Sequence, residues 1–175
     1  MRTYYSLYGR LLSKRVLYDG FRQVKKSKGA AGIDGQRLSD FEADLDAELN
    51  SLLLELTEKR YQPSPVKRVI IAKDDGGERA LGIPTVRDRI VQQALRNVLE
   101  PIFDPDFHPS SYGYRKGRGC HHAISKGELF IRRYGRRWVV DMDLSKCFDT
   151  LNHDLIIKQF REKVTDSSIL KLLRD

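Results

Sequence analysis

The most informative segment of the chain is Arg137-Trp-Val-Val-Asp-Met-Asp-Leu-Ser-Lys-Cys-Phe-Asp149. Its apolar first half predicts a short strand that ends in carboxylates and then turns. Because residues two apart share one face of a strand, Asp141 and Asp143 should lie side by side. Two neighbouring carboxylates repel each other unless a cation or a donor lies between them. That cation is a lysine, an arginine or a metal ion, and a metal ion would indicate an enzyme.

The composition is that of a folded, basic chain. Its 175 residues are 40% hydrophobic and carry a net charge of +8, which fits one sizeable core. The positive excess predicts a polyanionic partner such as nucleic acid, although ordinary solubility charge is an alternative explanation. No apolar run reaches the roughly 18 residues of a membrane-spanning helix, so we expect no membrane partner. Two cysteines make no disulfide framework and favour a reducing compartment.

The spacing of apolar residues and turn residues predicts helix, hairpin, helix, loop, helix, strand and helix in that order. The first 28 residues should form one or two basic helices with a break near Gly20. Ser39 and Glu42 have the spacing of a capping box, which would open a helix that runs to about Leu56. This mixture of elements is typical of the α+β class.

The second half of the chain shows further helix signals. Thr85 and Asp88 have a spacing similar to a capping box and predict a helix to about Leu99. The prolines and glycines of residues 101–119 predict an irregular loop. Further helices are expected from about residue 120 to 134 and from about residue 152 to 164.

A β-hairpin is predicted between Val66 and Ile83, with its turn at Asp74-Asp-Gly-Gly77. Lys73 precedes the turn and Arg79 follows it, so both side chains should lie near the hairpin tip. An ammonium and a guanidinium that project together could bind a triphosphate. The alternative is that both are solvated turn charges beside acidic neighbours.

The loop Ser110-Ser-Tyr-Gly-Tyr-Arg-Lys-Gly-Arg118 interleaves two aromatic residues with three cations and two glycines. Aromatic faces can stack on nucleic-acid bases while the cations contact phosphates. Glycines allow a backbone to approach such a ligand closely. A surface loop anchored by its tyrosines is the alternative interpretation.

The carboxylates at the end of the predicted strand have two interpretations. Mg²⁺ prefers carboxylate oxygens, and Asp143 at a rigid strand end suits the two-metal sites of phosphoryl transfer. The alternative is that Asp143 or Asp149 caps the following turn or helix. For Asp149 we favour the cap, and for Asp143 both interpretations stand on the local sequence.

Six segments of the chain each resemble part of a conserved block of one protein family, and they occur in the same order as in that family. The segments are Lys28–Gly35, Arg68–Lys73, Arg79–Ala94, Leu99–Pro105, Ser111–Arg118 and Val139–Asp154. The chain resembles the N-terminal part of a bacterial group II intron reverse transcriptase, the intron-encoded maturase. The resemblance extends from about residue 8 to residue 165.

The resemblance implies a right-hand polymerase in which fingers precede palm. Residues 1–84 would form a basic N-terminal extension and fingers, with the hairpin near residues 66–83. Residues 85–175 would form the junction of fingers and palm and the first palm segment. The family's Tyr-x-Asp-Asp motif does not occur in the chain, so we expect the 175 residues to be inactive alone.

The resemblance also implies roles for individual residues. Asp143 matches the first catalytic aspartate, which binds two Mg²⁺ ions with help from the backbone carbonyl of Leu144. Phe148 matches the catalytic-site aromatic that lies where a ribonucleotide's 2′-OH would be, which favours deoxynucleotides. Lys73 and Arg79 match the residues that hold the incoming triphosphate, and Leu144 and Phe148 would also border the nucleotide.

The basic surface is implied to bind intron RNA during splicing. The candidate nucleic-acid contacts are Lys14, Arg15, Lys25, Lys26, Lys28, Arg68, Tyr112, Arg115, Lys116 and Arg118. Lys116 replaces the family's usual proline and would add a phosphate contact. The expected partners are group II intron RNA, an RNA template with a DNA primer, and a deoxynucleoside triphosphate, in the bacterial cytoplasm. Whether the chain forms a homodimer is open.

Two alternatives to this function remain. The first is a non-catalytic, RNA-binding maturase module that assists splicing. The second is the reverse transcriptase of a retron, a diversity-generating element or a CRISPR-associated system, although the block Gly82-Ile-Pro-Thr-Val-Arg-Asp-Arg89 fits the intron group better.

Overall fold

The computed structural model describes residues 3–72, 76–145 and 147–175. These residues contain eight α-helices, one two-stranded sheet and short 3-10 turns at Tyr8–Arg10 and Asp104–Asp106. In chain order the elements are α1 (Lys14–Lys26), α2 (Leu38–Ala43), α3 (Leu45–Thr57), β1 (Lys67–Ala72), β2 (Glu78–Ile83), α4 (Val86–Phe103), α5 (Cys120–Arg132), α6 (Cys147–Thr150), α7 (His153–Arg161) and α8 (Ser167–Arg174). The combination of helices with one small sheet agrees with the predicted α+β class.

The core forms where α1 and α3 pack with the long helix α4. Each helix contributes an apolar stripe at helical spacing, as expected for amphipathic helices that face one core. The rings of Phe21 and Phe41 stack with their centroids 5.7 Å apart. The core also includes Val164 and Ile169 near the C-terminal helix, so it takes side chains from both sides of residue 84. The division into 1–84 and 85–175 stays a prediction.

The break predicted at Gly20 is wrong, because α1 runs through this residue without interruption. Gly20 is buried where α1 crosses α4, and a Cβ atom there would lie 3.0 Å from the carbonyl oxygen of Ile90. The glycine therefore allows two helix backbones to approach closely. A helix can tolerate an internal glycine at a cost of about 1 kcal/mol when packing requires it.

The helix that Ser39 was predicted to cap is capped two residues earlier, at Arg37, and is divided in two. The carboxylate of Asp40 accepts a hydrogen bond of 2.9 Å from the backbone N–H of Arg37. The reciprocal acid of the N-terminal cap is thus Asp40 rather than Glu42. Asp44 separates α2 from α3 with a non-helical backbone, which the continuous apolar spacing did not reveal.

Helix α4 confirms its predicted start and extends beyond its predicted end. The Thr85 hydroxyl oxygen accepts a hydrogen bond of 3.1 Å from the backbone N–H of Asp88. The helix continues through Pro101 to Phe103, whereas we expected the loop to begin at this proline. The helices predicted near residues 120–134 and 152–164 appear as α5 and α7, each shorter than expected.

The hairpin is confirmed as an antiparallel pair of β1 and β2. Lys67 is opposite Ile83, and Ala72 is opposite Glu78. Only Val69 and Ile83 are half-buried among the described strand residues, and the others are exposed. The hairpin therefore projects from the helical body.

The strand predicted at residues 138–143 is wrong, because these residues have no regular secondary structure. Their apolar side chains are exposed, and Trp138 retains 94% of its accessible surface. A strand needs a neighbouring strand to satisfy its backbone N–H and C=O groups. In the described part of the chain the only strands are β1 and β2, which pair with each other.

The N-terminal segment is bound to the start of α8. The carboxylate of Asp166 accepts 2.8 Å hydrogen bonds from the backbone N–H groups of Leu7 and Tyr8. Its other oxygen caps α8 by accepting from Ser168 and Ile169. Burial raises the pKa of Asp166, but the four backbone donors together outweigh burial and leave this pKa below its usual value.

Replacing Asp166 with alanine should lower the free energy of unfolding by about 2 kcal/mol, since a helix cap and two further backbone acceptors are lost. Because the folded pKa is lowered, this stabilisation is complete above the unfolded pKa of about 3.9 and is lost as the pH falls through the folded pKa. Thermal unfolding of both proteins from pH 7 to pH 3 should show the difference shrinking below about pH 4.

The matched control is Asp154→Ala, which removes a carboxylate from an exposed ion pair with Arg174. Exposed pairs contribute between about 0 and 1 kcal/mol, so this change should be small. Equal destabilisation by the two substitutions would contradict the role of Asp166.

Candidate nucleotide and nucleic-acid site

Two of the predicted cationic contacts in the hairpin, Arg68 and Arg79, lie in its described strands and point to different faces of the sheet. Across the two strands Arg79 pairs with Ile71, and Arg68 pairs with Gly82. Arg79 and Gly82 are three residues apart on β2, and residues an odd number apart on a strand point to different faces. Arg79 shares its face with the apolar residue Leu81. Lys73 lies outside the described residues, so the structure does not test the predicted pair of Lys73 and Arg79.

The acidic segment presents its predicted site residues to solvent. Leu144 and Phe148 retain 74% and 76% of their accessible surface, and Asp143 is also exposed. Within the described residues, no hydrogen bond or ion pair engages the Asp143 carboxylate. Phe148 lies in the short helix α6 (Cys147–Thr150). The capping role predicted for Asp149 concerns a side chain outside the described part of the structure.

The donors near Asp143 fit a hard divalent cation in kind but not in number. A carboxylate and the carbonyl of Leu144 are oxygen ligands of the type that Mg²⁺ prefers. Among the described residues, however, no three His, Cys, Asp or Glu side chains are grouped so that they could hold a metal ion. The described part of the chain therefore holds no complete ligand set for a metal ion, and the roles of Asp143 and Leu144 stay predictions.

Arg115 organises the loop of residues 104–118 from within. Its guanidinium donates to the carboxylate of Asp104 at 2.6 Å and to the backbone oxygens of Asp104, His108 and Ser111. The hydrogen bond from the Arg115 guanidinium lowers the pKa of the Asp104 carboxyl. Only 9% of Arg115 is exposed. Its predicted contact with nucleic acid stays a prediction, and the arrangement favours a structural role.

Two aromatic residues of this loop differ in how they are presented. Tyr112 is half-buried, and the Arg118 guanidinium lies 6.0 Å from its ring centroid. The neighbouring cation Lys116 is exposed. Tyr114 is almost fully exposed and has a left-handed backbone with φ of 56°. Its carbonyl accepts a hydrogen bond of 2.9 Å from Arg96 of α4. Tyr114 is therefore the more accessible tyrosine for stacking, although the predicted contacts include Tyr112 and not Tyr114.

Helix α1 carries a cationic face opposite its buried stripe. Arg15, Arg22 and Lys26 are two turns and then one turn apart, so they lie on one side of the helix. All three are exposed, and no recorded ion pair within the described residues engages them. Lys14 and Lys25 pair with Asp46 and Glu42, and their contacts with nucleic acid stay predictions.

Arg22 is not among the predicted contacts, although its helical spacing from Arg15 and Lys26 was a usable signal. Lys28 is also exposed and directly precedes Gly29-Ala-Ala-Gly-Ile-Asp-Gly35, which we call the glycine-rich loop. We name Arg15, Arg22 and Lys26 the α1 basic face.

A cavity of about 680 Å³ lies among α4, α7, α8 and the loop of residues 104–115. Its lining includes Leu99, Phe103, Ile157 and Phe160, and of the predicted site residues it includes Arg115. The cavity is therefore distinct from the hairpin and from the acidic segment.

No helix within the described ranges is long and apolar enough to cross a bilayer.

Comparison with known proteins identifies the class of this fold. The family described as "Reverse transcriptase (RNA-dependent DNA polymerase)" matches residues 71–174. This match covers the second hairpin strand, α4, the loop and the acidic segment. The chain belongs to the reverse transcriptase family, whose members generally use divalent metal ions.

Individual relatives agree with the predicted resemblance to group II intron proteins. The chain is 43% identical over 162 residues to "Protein YkfC" of Escherichia coli (strain K12), covering 90% of this chain and 42% of that protein. It is 33% identical over 171 residues to "Group II intron-encoded protein LtrA" of Lactococcus lactis subsp. cremoris, covering 95% and 28%. It is 36% identical over 148 residues to "Putative COX1/OXI3 intron 1 protein" of Saccharomyces cerevisiae, covering 85% and 18%. The chain thus spans less than half the length of these relatives.

Proposed function

We propose that these residues are the N-terminal part of an RNA-directed DNA polymerase encoded by a group II intron. The main support is the reverse transcriptase match over residues 71–174, which contains both Arg79 and Asp143. Similarity to the group II intron-encoded protein LtrA over 95% of the chain favours the intron group over other reverse transcriptases. In this proposal the hairpin belongs to the fingers and the acidic segment begins the palm.

Each predicted residue has a defined task in the proposed reaction. Arg79, together with Lys73, would bind the triphosphate of the incoming deoxynucleotide by charge-assisted hydrogen bonds. Phe148 would exclude a 2′-OH by occupying its space. Asp143 and the Leu144 carbonyl would hold Mg²⁺ with ligands from beyond these residues. When bound, the metal would neutralise charge that develops on the phosphate.

The α1 basic face would bind the intron RNA, and Lys28, Arg68 and Lys116 would extend this contact. These cations are exposed, and phosphate contacts by such groups supply most of non-specific nucleic-acid affinity. The RNA template, the DNA primer and the bacterial cytoplasm as the site of action belong to the same proposal. A homodimer would cover part of the exposed apolar surface at residues 138–148.

A second candidate function is RNA binding without chemistry, as in a maturase that only assists splicing. The observation that favours it is the exposed cationic face of α1, which RNA binding alone would use. Both functions predict RNA binding, but only the first predicts polymerisation by the longer protein.

The test measures both activities. The 175-residue chain should bind a structured intron RNA in fluorescence anisotropy, with affinity that falls steeply as salt rises. The longer polymerase that contains it should extend a DNA primer on an RNA template. Salt-independent binding would contradict the RNA interface, and RNA binding without primer extension by the longer protein would favour the maturase function.

A further inference from the structure

The hairpin joins the helical body through two short chain segments, which we call the hairpin roots. The entry root is residues 61–66 and the exit root is residues 84–85. An isolated two-stranded hairpin is only marginally stable in water, and most of this one is exposed. Its position relative to the body must therefore depend on what holds its roots.

Both roots are held by one buried carboxylate, Asp88 in the first turn of α4. From the entry root, the Tyr61 hydroxyl donates to Asp88 at 2.6 Å and the Ser64 backbone N–H donates at 3.2 Å. From the exit root, the Thr85 hydroxyl donates to Asp88 at 2.6 Å. Asp88 is 3% exposed, so these bonds form away from competing water.

The donors are suited to hold this carboxylate at neutral pH. Burial raises the pKa of Tyr61, and its hydrogen bond to Asp88 raises that pKa further. The tyrosine hydroxyl thus keeps its proton and remains a donor. Hydrogen bonds to a charged acceptor in a buried site are stronger than those between neutral groups.

The exit root is also packed against the glycine-rich loop. The Arg89 guanidinium donates to the carbonyl of Ala30 at 2.7 Å and to that of Thr85 at 3.3 Å. A Cβ atom on Gly32 would lie 2.7 Å from the Thr85 Cα atom, so only glycine allows this approach. These contacts restrict the exit root from a second side.

We propose that Asp88 is a positioning residue that fixes both hairpin roots to α4 and thereby sets where the hairpin presents Arg79. We call this attachment of both roots to Asp88 the clamp. The consequence for nucleotide binding rests on the proposed function, whereas the clamp does not. Arg79 is four residues before Ile83, the last residue of β2, so it lies about 13 Å from the point where the strand meets the exit root, at about 3.3 Å per residue. A tilt of about 10° at the root would move Arg79 by about 2 Å, and errors of about 1 Å can cost 100-fold in rate.

The test compares Tyr61→Phe and Thr85→Val with Tyr8→Phe by hydrogen exchange of the 175-residue chain. The first two substitutions each remove one donor to Asp88, and Thr85→Val also removes the acceptor that caps α4, so Tyr61→Phe is the cleaner of the two. The third removes a tyrosine hydroxyl that donates to the Leu56 carbonyl at 2.7 Å rather than to Asp88. Exchange of the β1 and β2 amides should accelerate about tenfold in the first two variants, the factor expected for one buried hydrogen bond. Exchange in α3 and in the second half of α4 should not change.

The outcomes discriminate between a clamp and general stabilisation. Unchanged hairpin exchange, or equal acceleration in the hairpin and the helices, would overturn the proposal. Asp88→Asn should show a larger hairpin effect, and Tyr61→Phe and Thr85→Val decide the question if that variant does not fold. In the longer polymerase, Tyr61→Phe should raise the KM for deoxynucleotide more than it lowers kcat. Faster hairpin exchange with an unchanged KM would support the clamp and count against the nucleotide role of Arg79.

Discussion

Replacing Asp143 with alanine should reduce primer extension by the longer polymerase on the order of 1,000-fold. In the proposed function Asp143 is a metal ligand, and a catalytic metal ion contributes several kcal/mol of charge stabilisation in phosphoryl transfer. A loss of about 4 kcal/mol corresponds to a rate factor of about 1,000. Single-turnover extension of a DNA primer on an RNA template measures the chemical step directly.

The fold should not confound this result, because Asp143 is exposed and has no recorded hydrogen bond or ion pair within the described residues. Substitutions at such positions usually change stability by less than about 0.5 kcal/mol. RNA affinity and thermal unfolding of Asp143→Ala should therefore match those of the unmodified protein.

Asp141→Ala is the matched control, since it removes the same charge from an exposed position two residues away. We expect it to lower the rate by less than about tenfold, as for the loss of a nearby charge rather than a ligand. Retained activity in Asp143→Ala, or equal loss in the two variants, would contradict the assignment of Asp143.

The hairpin and the start of α4 were predictable because their signals are local. The turn-forming residues Asp74-Asp-Gly-Gly77 separate two strand-forming runs in the sequence, although the first two of them lie outside the described residues. Thr85 caps the helix that follows the hairpin. Each feature depends on residues only a few positions apart, so a single sequence suffices to predict it. The reverse transcriptase resemblance was recognisable for a related reason, since its motifs are contiguous.

The segment at residues 138–143 illustrates the opposite case. Its apolar run has the composition of a buried strand, yet strand formation depends on partners elsewhere in the chain. In the described residues it has no such partner, and its side chains are exposed. The local pattern therefore predicted a tendency that tertiary context does not satisfy here.

Long-range contacts account for the remaining differences. Gly20 was interpreted as a helix break because the sequence does not show that α4 crosses α1 at this residue. The sequence also does not show that the loop of residues 104–118 folds around the guanidinium of Arg115, whose contact with nucleic acid stays a prediction. The hydrogen bonds that the Leu7 and Tyr8 N–H groups donate to Asp166 connect distant parts of the chain, so no local sequence pattern could predict them.

Replacing the α1 basic face with alanines at Arg15, Arg22 and Lys26 should weaken RNA binding about 100-fold near 0.1 M salt. Each phosphate contact to a single strand contributes a slope of about 0.7 in log affinity against log salt, or about fivefold at this salt concentration. Three lost contacts then multiply to about 100-fold and should reduce the measured slope by about 2. Alanine has the highest helix propensity, so α1 should stay folded.

A second triple variant, Lys14→Ala, Lys25→Ala and Arg60→Ala, separates specific placement from net charge. It lowers the net charge of +8 by the same three units, but it removes cations that already pair with Asp46, Glu42 and Glu58. A paired cation releases fewer counterions on binding RNA, so the control should lose less than about tenfold in affinity and keep most of its salt slope. Equal losses in the two triples would mean that total charge rather than the α1 basic face attracts RNA.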